Sequence, residues 1–441
     1  MVDKISRRHR SRYLDSFRPT ALTVASQRTS NAEIHMRFDT LLTGGHLIDP
    51  KNNIDTPMDL AITGGKVAAV DRNIPAEQAQ QVLDVSGLYL TPGLIDIHTH
   101  MYATPGWKNA WAGDNSILPD GFSFRSGVTA MVDTGSAGWR TFADFRERVL
   151  TRFHTRMYAF VNICGMGMIS LDLEQNEIDM NVEQTAATMK EHSDLVVGAK
   201  TAHYRGPEWV SVDRALAAGQ AAGMPTMVDF GLFLKERPYY ELVTQRMAPG
   251  DISTHMFLGD IPWLDADGKV YDYLYKARER GIVFDVGHGG GSFYWRNAAP
   301  AIEQGFYPDS ISTDLHTKNM NEDMMDMVTV MSKFLILGVP LVEVIRQSTI
   351  NPAREIGHEE LGHLSIGAVA DIAGLKILEG DFGYTDVASG LLRGRQRIVC
   401  ELTLKDGVVM WDWDGRIGVD YRELDPLYGV RNPEGLVMPP G

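Results

Sequence analysis

The chain has 441 residues, of which 44% are hydrophobic and 22% charged, a composition typical of a globular protein with a large core. Its net charge of −15 argues against a nucleic-acid-binding surface, which normally needs clustered basic residues. The two cysteines, Cys164 and Cys400, lie far apart in sequence and form no disulfide framework, which indicates a reducing, cytoplasmic compartment. No apolar run reaches the roughly 18 residues of a membrane span, so we expect no membrane partner.

The first 35 residues differ in composition from the rest of the chain. Between Met1 and Glu33 there are seven lysines and arginines and three acidic residues. The apolar stretch at 21–25 is short for a secretory signal. We predict that 1–35 is a basic, disordered leader, or that Met36 is the true start; a targeting peptide is the alternative.

Short β-patterned runs occur near both ends of the remaining chain. They lie at 38–49 and 58–70, broken by Gly-Gly turns, and again at 367–373 and 398–410. The last pair contains a Lys-Asp-Gly hairpin signal at 405–407. These runs predict a small β-sandwich domain formed from both termini, with the boundaries 36–91 and 365–441.

The centre of the chain alternates apolar strand candidates with helical segments. The eight candidates recur mostly at intervals of about 25 to 35 residues, as βα units require: 94–100, 127–133, 157–164, 195–200, 226–230, 252–257, 282–288 and 309–314. Short, nearly continuous apolar strands indicate a parallel sheet covered on both faces. We therefore predict an α/β fold with a (β/α)₈ TIM barrel over 92–364. A doubly wound open sheet has a similar period, although no glycine fingerprint follows the first strand.

Ionisable residues stand at the ends of most of these strands. His98 and His100 are two positions apart, so their side chains point to the same face of a strand and can reach one metal ion. A buried ionisable group is costly unless it is paired or bound to a metal. Because the carboxyl ends of barrel strands share one face, the pattern predicts a joint metal site. Its candidates are His98, His100, Lys200, Asp229, His255, His288 and Asp314.

Several motifs resemble the amidohydrolase superfamily of metal-dependent hydrolases. The stretch 92–100 (PGLIDIHTH) looks like its first-strand signature, and 351–357 with 362–371 resembles its return into the β-domain. More narrowly, 132–138 (VDTGSAG), 285–293 (DVGHGGGSF) and 311–316 (ISTDLH) resemble the dihydroorotase-like deacetylase branch. The resemblance covers the chain from Met36 to Gly380 and beyond, and it implies the same barrel fold.

The resemblance also implies roles for the candidate ligands. His98 and His100 would bind the more buried of two divalent metal ions, and His255 would bind the second. Lys200 would carry a CO₂-derived carbamate that bridges both ions, which is reasonable because a desolvated lysine has a neutral, nucleophilic amine. The alternative is that Lys200 is a buried salt-bridge partner. Asp314 would be both a ligand and the proton acceptor. We expect zinc, while manganese and iron stay open.

One position departs from the family pattern. The family has a histidine on the fifth strand where this chain has Asp229. Asp229 could bind the second ion through oxygen, a harder ligand, which is the reading we favour. It could instead leave the second site weak, so that one ion works alone, or the activity could be altered or lost.

Four residues are candidates for substrate contact, one of which, His288, is also among the strand-end residues above. His288 could orient a substrate carbonyl, or it could be hydrogen-bonded beneath the site. His203 and Tyr204 follow Lys200 directly, and His316 lies two residues beyond Asp314.

These expectations combine into one predicted function. The protein would hydrolyse an amide bond, of N-acyl or deacetylase type, in a small-molecule substrate by metal-activated water. One alternative is a cyclic amide or lactone hydrolase with dihydroorotase- or hydantoinase-like chemistry. The other is a catalytically silent scaffold homologue. By family resemblance we also expect a homo-oligomer.

Overall fold

The structure is a computed structural model that describes residues 36–103 and 116–436. The predicted leader at 1–35 lies outside the described residues. Within the described ranges, no helix combines the length and the apolar character that crossing a bilayer requires.

Seventeen strands lie in three sheets of the described chain. The first seven are β1 (Phe38–Thr43), β2 (His46–Asp49), β3 (Ile54–Pro57), β4 (Asp59–Thr63), β5 (Lys66–Asp71), β6 (Ala79–Asp84) and β7 (Tyr89–Pro92). The next seven are β8 (Leu94–Thr99), β9 (Val128–Gly138), β10 (Arg156–Asn162), β11 (Val196–Thr201), β12 (Thr226–Val228), β13 (Ile252–Ser253) and β14 (Val283–Phe284). The last three are β15 (Ile372–Thr385), β16 (Leu391–Lys405) and β17 (Val408–Asp412).

The described α-helices lie mainly between the central strands and after them. They are α1 (Phe142–Phe145), α2 (Val182–Glu191), α3 (Val210–Ala222), α4 (Tyr239–Glu241), α5 (Asp272–Glu279), α6 (Trp295–Glu303), α7 (Met327–Ile336), α8 (Leu341–Arg346) and α9 (Ile350–Glu355). Local sequence explains several ends. The side chains of Asn181 and Asp326 accept hydrogen bonds from the first turns of α2 and α7, and Gly223 ends α3 in the left-handed conformation.

Strands β8 to β14 form one parallel sheet in sequential order. Every pairing in it is parallel, so all seven carboxyl ends lie at the same edge. Strands β8, β9 and β11 are buried along their whole length, as expected for a parallel sheet covered on both faces. The predicted α/β alternation is confirmed, and it brings the ends of all the central strands to one face.

The eighth predicted strand, 309–314, is not a regular strand. It forms two isolated parallel bridges instead, Asp285↔Ser310 on one side and Thr99↔Leu315 on the other. The parallel sheet therefore curls until both of its edges meet this segment. The segment is irregular because Asp314 has a φ of 53°, a left-handed conformation that interrupts an extended chain.

The later strands of the sheet are shorter than predicted. The candidates 226–230, 252–257 and 282–288 shrink to β12, β13 and β14. Strands β13 and β14 end shortly before His255 and Gly287, because these residues have φ values of 59° and 46°, which are incompatible with extended backbone. Apolar character alone does not reveal this change of backbone conformation.

The N-terminal and C-terminal β regions come together in the six-stranded sheet. The six-stranded sheet has the order β17-β16-β15-β7-β2-β3, so β7 from the N-terminal part pairs antiparallel with β15 from the C-terminal part. The four-stranded sheet has the order β5-β4-β1-β6. Leucines of both parts, including Leu60, Leu90 and Leu402, share one core. The predicted Lys-Asp-Gly hairpin joins β16 to β17, with Asp406 and Gly407 both at positive φ.

Candidate metal centre

A cavity of about 400 Å³ opens at the carboxyl ends of the parallel strands. All six predicted metal ligands line it: His98, His100, Lys200, Asp229, His255 and Asp314. Two of the four predicted substrate contacts, His203 and His316, also line it. The other lining residues are Met168, Ile169, Ser170, Leu171, Glu174 and Lys318. The curl of the sheet thus brings together predicted ligands that are up to 216 positions apart in sequence (from His98 to Asp314).

The strands explain how the first group of these side chains is positioned. His98 lies on β8 and His100 directly follows it, so alternation sends both rings to the cavity side. Lys200 lies on β11 and is almost completely buried, with 1% of its surface exposed. A buried lysine and buried imidazoles at one point are costly unless they share a charged partner.

Asp314 is that partner for the two histidines. Its Oδ1 lies 3.0 Å from His100 Nε2 and 3.6 Å from His98 Nε2, and Lys200 Nζ lies 3.4 Å from His98 Nε2. Donors bound about 2.1 Å from a tetrahedral ion are spaced roughly 3.4 Å apart, so these separations suit a shared ion. The ligand atoms of His98, His100 and Asp314 all lie within 4.8 Å of one another. The three residues can therefore hold a metal ion.

The Nδ1 atoms of His98, His100 and His255 each contact a hydrogen-bonding partner away from the cavity, so the Nε2 atoms face the cavity. His98 Nδ1 lies 2.8 Å from Thr254 Oγ1, which in turn donates to Asp285 Oδ2 at 2.7 Å. His100 Nδ1 lies 2.9 Å from Ser136 Oγ, and His255 Nδ1 donates to the Gly287 carbonyl at 2.6 Å. Metal-binding histidines are commonly oriented through such hydrogen bonds on the second ring nitrogen.

A second group of donors surrounds Asp229. Its Oδ2 lies 3.6 Å from His255 Nε2 and 3.5 Å from His203 Nε2. Among the described residues, only His98, His100 and Asp314 form a set of three ligand atoms all within 4.8 Å of one another. The Asp229 group is therefore the more open of the two.

The electrostatics of the His98–Asp314 pair favour the binding of a cation, whereas at His255 the carboxylate of Asp229 outweighs burial and raises the pKa. Burial and the nearby Lys200 lower the pKa of His98 to about 3, so its imidazole is neutral. Burial raises the pKa of Asp314, but the imidazoles of His98, His100 and His316 outweigh it and hold that pKa well below its usual value. Burial also lowers the pKa of Lys200, against the opposing pull of Asp229 and Asp314. An ionised carboxylate beside neutral donors is the state that binds a metal.

The backbone of the site is strained at three of its side chains. His203, His255 and Asp314 have φ values of 53°, 59° and 53°, in the left-handed region that non-glycine residues seldom adopt. Such conformations cost on the order of 1–3 kcal/mol each and concentrate at functional sites. Local hydrogen bonds hold Asp314 there, because its carbonyl accepts from His316 Nδ1 at 2.8 Å and from Asn319 at 2.6 Å.

The glycine-rich stretch at 287–291 makes room for these groups. A Cβ on Gly287 would lie 2.3 Å from Thr254 Oγ1, and one on Gly289 would lie 2.4 Å from Asp314 Oδ2. Both glycines also have positive φ, so a larger residue would be strained as well as crowded.

Two of the predicted substrate contacts do not face the cavity. His288 is fully buried, with Nδ1 donating to the Gly289 carbonyl at 2.8 Å and Nε2 lying 2.7 Å from Lys333 Nζ. This placement favours the alternative of a histidine hydrogen-bonded beneath the site. Tyr204 is also buried, and its hydroxyl donates to Glu177 at 2.6 Å. Both side chains are engaged within the protein and do not line the cavity.

The sequence analysis missed several residues that shape the site. Glu174 is buried against the cavity, and its carboxylate oxygens lie 3.1 and 3.3 Å from His203 Nδ1. No local pattern indicates this role, since Glu174 lies in a polar loop. Asp285 had a signal, because it is an acidic residue inside the apolar run 282–286. Thr254 directly precedes His255 and has no comparable signal.

Comparisons with known proteins agree with this geometry. No protein-family model matches the sequence. A deacetylase of Agrobacterium fabrum is 33% identical over 342 residues, which cover 74% of this chain and 80% of the relative. The crystal structure of an adenine deaminase superposes with a TM-score of 0.76 at 28% identity, covering 84% of this chain and 99% of that one. The crystal structure of a dihydroorotase superposes with a TM-score of 0.72 at 28% identity, covering 85% of this chain and 99% of that one.

The curled parallel sheet carries a cluster of histidines, a lysine and carboxylates at its strand ends. This combination is typical of a metal-dependent hydrolase, and the protein is one that cleaves carbon–nitrogen bonds of the amide type. Within that class, the chain belongs to the amidohydrolase superfamily, in the dihydroorotase-like deacetylase branch.

Proposed function

We propose that the protein removes an acyl group from nitrogen in a small-molecule substrate, as a deacetylase-type amidohydrolase. The single observation that supports this best is the position of Asp314, whose carboxylate lies between His98 and His100 on the cavity wall. The deacetylase relative supports the substrate class. The cavity of about 400 Å³ suits a small molecule.

We also propose that the fold is a closed (β/α)₈ barrel over 92–364 with a composite β-sandwich from 36–91 and 365–441. The bridges of 309–315 to β14 and to β8 support closure. The pairing of β7 with β15 and the shared leucine core support the composite domain.

The residues present fit one or two divalent ions, with zinc as the expected metal. His98, His100 and Asp314 would hold the first ion, and Asp229 and His255 the second. Lys200 lies 3.4 Å from His98, and a carbamate on its amine would provide one oxygen to each ion. The lowered pKa of Lys200 supports this, because a neutral amine is the form that reacts with CO₂. When bound, such ions polarise the scissile carbonyl and lower the pKa of water.

Asp314 moves the proton in this proposal. Its ionised carboxylate accepts a proton from the attacking water and then delivers it to the departing nitrogen. The hydrogen bonds from His316 and Asn319 to its main-chain carbonyl hold the side chain in position. His316 lines the cavity and would contact the substrate, as would the apolar wall of Met168, Ile169 and Leu171.

Replacing Asp314 with asparagine tests this role. General acid–base groups contribute roughly 10²–10⁴-fold, so Asp314→Asn should lower kcat by that order while His98 and His100 retain metal. Elemental analysis and steady-state kinetics on N-acetyl substrates measure both. Wild-type turnover in the variant would contradict the assignment.

The runner-up function is hydrolysis of a cyclic amide or a lactone. It is supported by the dihydroorotase of similar fold. Kinetics on a panel of N-acyl compounds and ring substrates distinguish the two functions. A deacetylase should have a kcat/KM that is orders of magnitude higher for the N-acyl compounds, and a cyclic amide or lactone hydrolase should show the reverse. The buried, complete set of donors argues against a silent scaffold.

The expected homo-oligomer and cytoplasmic location stay predictions. Light scattering after size-exclusion chromatography and fractionation of the source cells test them.

A further inference from the structure

Lys333 is a fully buried lysine that the proposed mechanism does not use. It lies on α7, and none of its surface is exposed. Its amine contacts two acceptors, His288 Nε2 at 2.7 Å and the Thr385 carbonyl at 2.7 Å. The rings of Phe293 and Trp295 lie beside it, with centroids 5.3 and 5.7 Å from Nζ. A buried amine costs free energy unless it is hydrogen-bonded, so these two acceptors stabilise Lys333 in this place.

His288 connects Lys333 to the glycine-rich loop. Burial and the nearby amine lower the pKa of His288 well below its usual value, so its ring is neutral and has one donor and one acceptor. The amine of Lys333 donates to Nε2, which leaves the proton on Nδ1, and Nδ1 donates to the Gly289 carbonyl at 2.8 Å. The ring of Phe293 stacks on the imidazole, with centroids 4.5 Å apart and an angle of 13° between the planes. Lys333 therefore selects the tautomer of His288 that binds Gly289.

Gly289 in turn borders the carboxylate of Asp314. A Cβ on Gly289 would lie 2.4 Å from Asp314 Oδ2, and the Gly289 N–H donates to the Thr313 carbonyl at 2.8 Å. The other carboxylate oxygen, Oδ1, lies 3.0 Å from His100 Nε2. One oxygen of Asp314 thus faces a candidate ligand and the other lies against the glycine. Because protein interiors are closely packed, a displacement of Gly289 changes the position of the Asp314 carboxylate.

The second acceptor of Lys333 lies at the end of β15, where the hairpin of β15 and β16 turns. The next two residues of this hairpin bind the segment that follows the glycine-rich loop. Asp386 Oδ2 accepts from the Trp295 N–H at 3.1 Å, and the Val387 N–H donates to the Phe293 carbonyl at 3.2 Å. The hairpin is therefore attached to this segment independently of Lys333, and it provides a fixed point from which the amine holds the imidazole.

We propose that Lys333 and His288 are positioning residues for the proton transfer at Asp314. Together they hold the Gly289 carbonyl, and Gly289 keeps the Asp314 carboxylate directed toward His100. Neither side chain lines the described cavity, so both act through Asp314 and not on the substrate. Their role rests on the proposed function of Asp314. It also explains why His288, a histidine at a predicted strand end, turns away from the cavity.

Steady-state kinetics on variants of the full-length chain test this role. Lys333→Met removes the amine at a similar side-chain length, whereas Lys333→Gln retains an N–H donor. His288→Phe removes both ring nitrogens and keeps a ring that can stack on Phe293. A double variant combines Lys333→Met with His288→Phe. The control is Thr403→Val on β16, which removes a buried hydroxyl that donates to the Phe124 carbonyl at 2.7 Å and takes no part in the contacts above.

We expect kcat on N-acetyl substrates to fall roughly 10–100-fold in Lys333→Met and in His288→Phe, because a misplacement of about 1 Å can cost that much in rate. KM and zinc content should stay unchanged. The double variant should be no slower than the slower single variant, because both changes break the same chain of hydrogen bonds. Lys333→Gln should recover most of the lost kcat, and Thr403→Val should lose stability in chemical denaturation without losing kcat.

Several outcomes would overturn the positioning role. Wild-type kcat in His288→Phe does so, and this variant decides alone if Lys333→Met does not fold. A double variant whose loss is the product of the two single losses shows that the residues act independently. Equal loss in Lys333→Gln and Lys333→Met, or a loss of zinc, makes Lys333 a structural residue.

Asp314→Asn is assayed beside these variants to separate the two proposals. Wild-type turnover in Asp314→Asn overturns the proposed function and the positioning role together. A slow Asp314→Asn beside a His288→Phe of wild-type kcat overturns only the positioning role.

Discussion

The two halves of the metal centre are built differently. On one side, His98, His100 and Lys200 stand on or directly after regular strands, and the sheet itself aims them. On the other side, Asp229 and His255 follow strands of only three and two residues, and His255 has a left-handed backbone. The first half is compact, whereas the second is more open. A regular sheet is therefore enough to position the side chains of one ion site, whereas loops and hydrogen bonds must position those of the other.

The largest expected effect separates the two halves directly. His98→Asn should abolish tight binding of the first ion and, with it, measurable turnover, with a loss of affinity above about 100-fold because a direct ligand is removed. Asp229→Asn should weaken only the second ion. Elemental analysis and kinetics on both variants measure this. Unchanged stoichiometry and activity in Asp229→Asn would show that Asp229 is not a ligand.

The next effect tests the support behind His98. Thr254→Val removes the hydroxyl between His98 and Asp285, so metal affinity should fall roughly 10–100-fold. Ser310→Ala is the matched control, because Ser310 donates to the same Asp285 carboxylate at 2.8 Å without contacting a histidine. Both should lose about 1–3 kcal/mol of stability. Equal metal affinity in the two variants would remove the role assigned to Thr254.

A smaller effect tests the crowded glycine loop beside Asp314. Gly289→Ala and Gly223→Ala both place a Cβ at positive φ, which costs roughly 1–2 kcal/mol. The Cβ of Gly289→Ala would lie 2.4 Å from Asp314 Oδ2. In the described structure, a Cβ on Gly223 would meet no neighbouring atom within 4 Å. Chemical denaturation should show similar losses, while kcat and metal affinity should fall in Gly289→Ala alone. A fall in both variants would mean that stability, not contact with Asp314, limits activity.

The smallest effect concerns Lys333, whose amine lies 2.7 Å from His288 Nε2. Burial lowers the pKa of Lys333 to about 7, against an unfolded value of about 10.4. Between these values the unfolded chain binds more protons, so the stability of the folded protein should rise as pH increases from about 7 to 10. Lys333→Met should flatten this slope in thermal unfolding measured against pH, whereas the exposed Lys190→Met should not. An unchanged slope in Lys333→Met would contradict the assignment.

The ligands were easier to predict than their supports. Most of the predicted ligands end an apolar run, and the period of the runs predicted that all of them lie on one face, as the cavity lining shows: His98, His100, Lys200, Asp229, His255 and Asp314. Glu174 and Thr254 have no such signal, because their role depends on contacts with residues more than 25 positions away. His288 had the signal of a ligand, yet its ring turns to Lys333. The position of a residue at a strand end fixes where its backbone lies, but the direction of its side chain depends on the residues that pack around it.

Hydrophobic period and short motifs are local properties, so the α/β alternation, the pairing of the two terminal β regions and the family of metal-dependent hydrolases could be predicted from the sequence. Tertiary structure alone decided the irregular eighth segment, the left-handed backbone at His203, His255 and Asp314, and the openness of the Asp229 group. These depend on hydrogen bonds and close contacts between distant segments, which outweigh local backbone preference only once the sheet has curled.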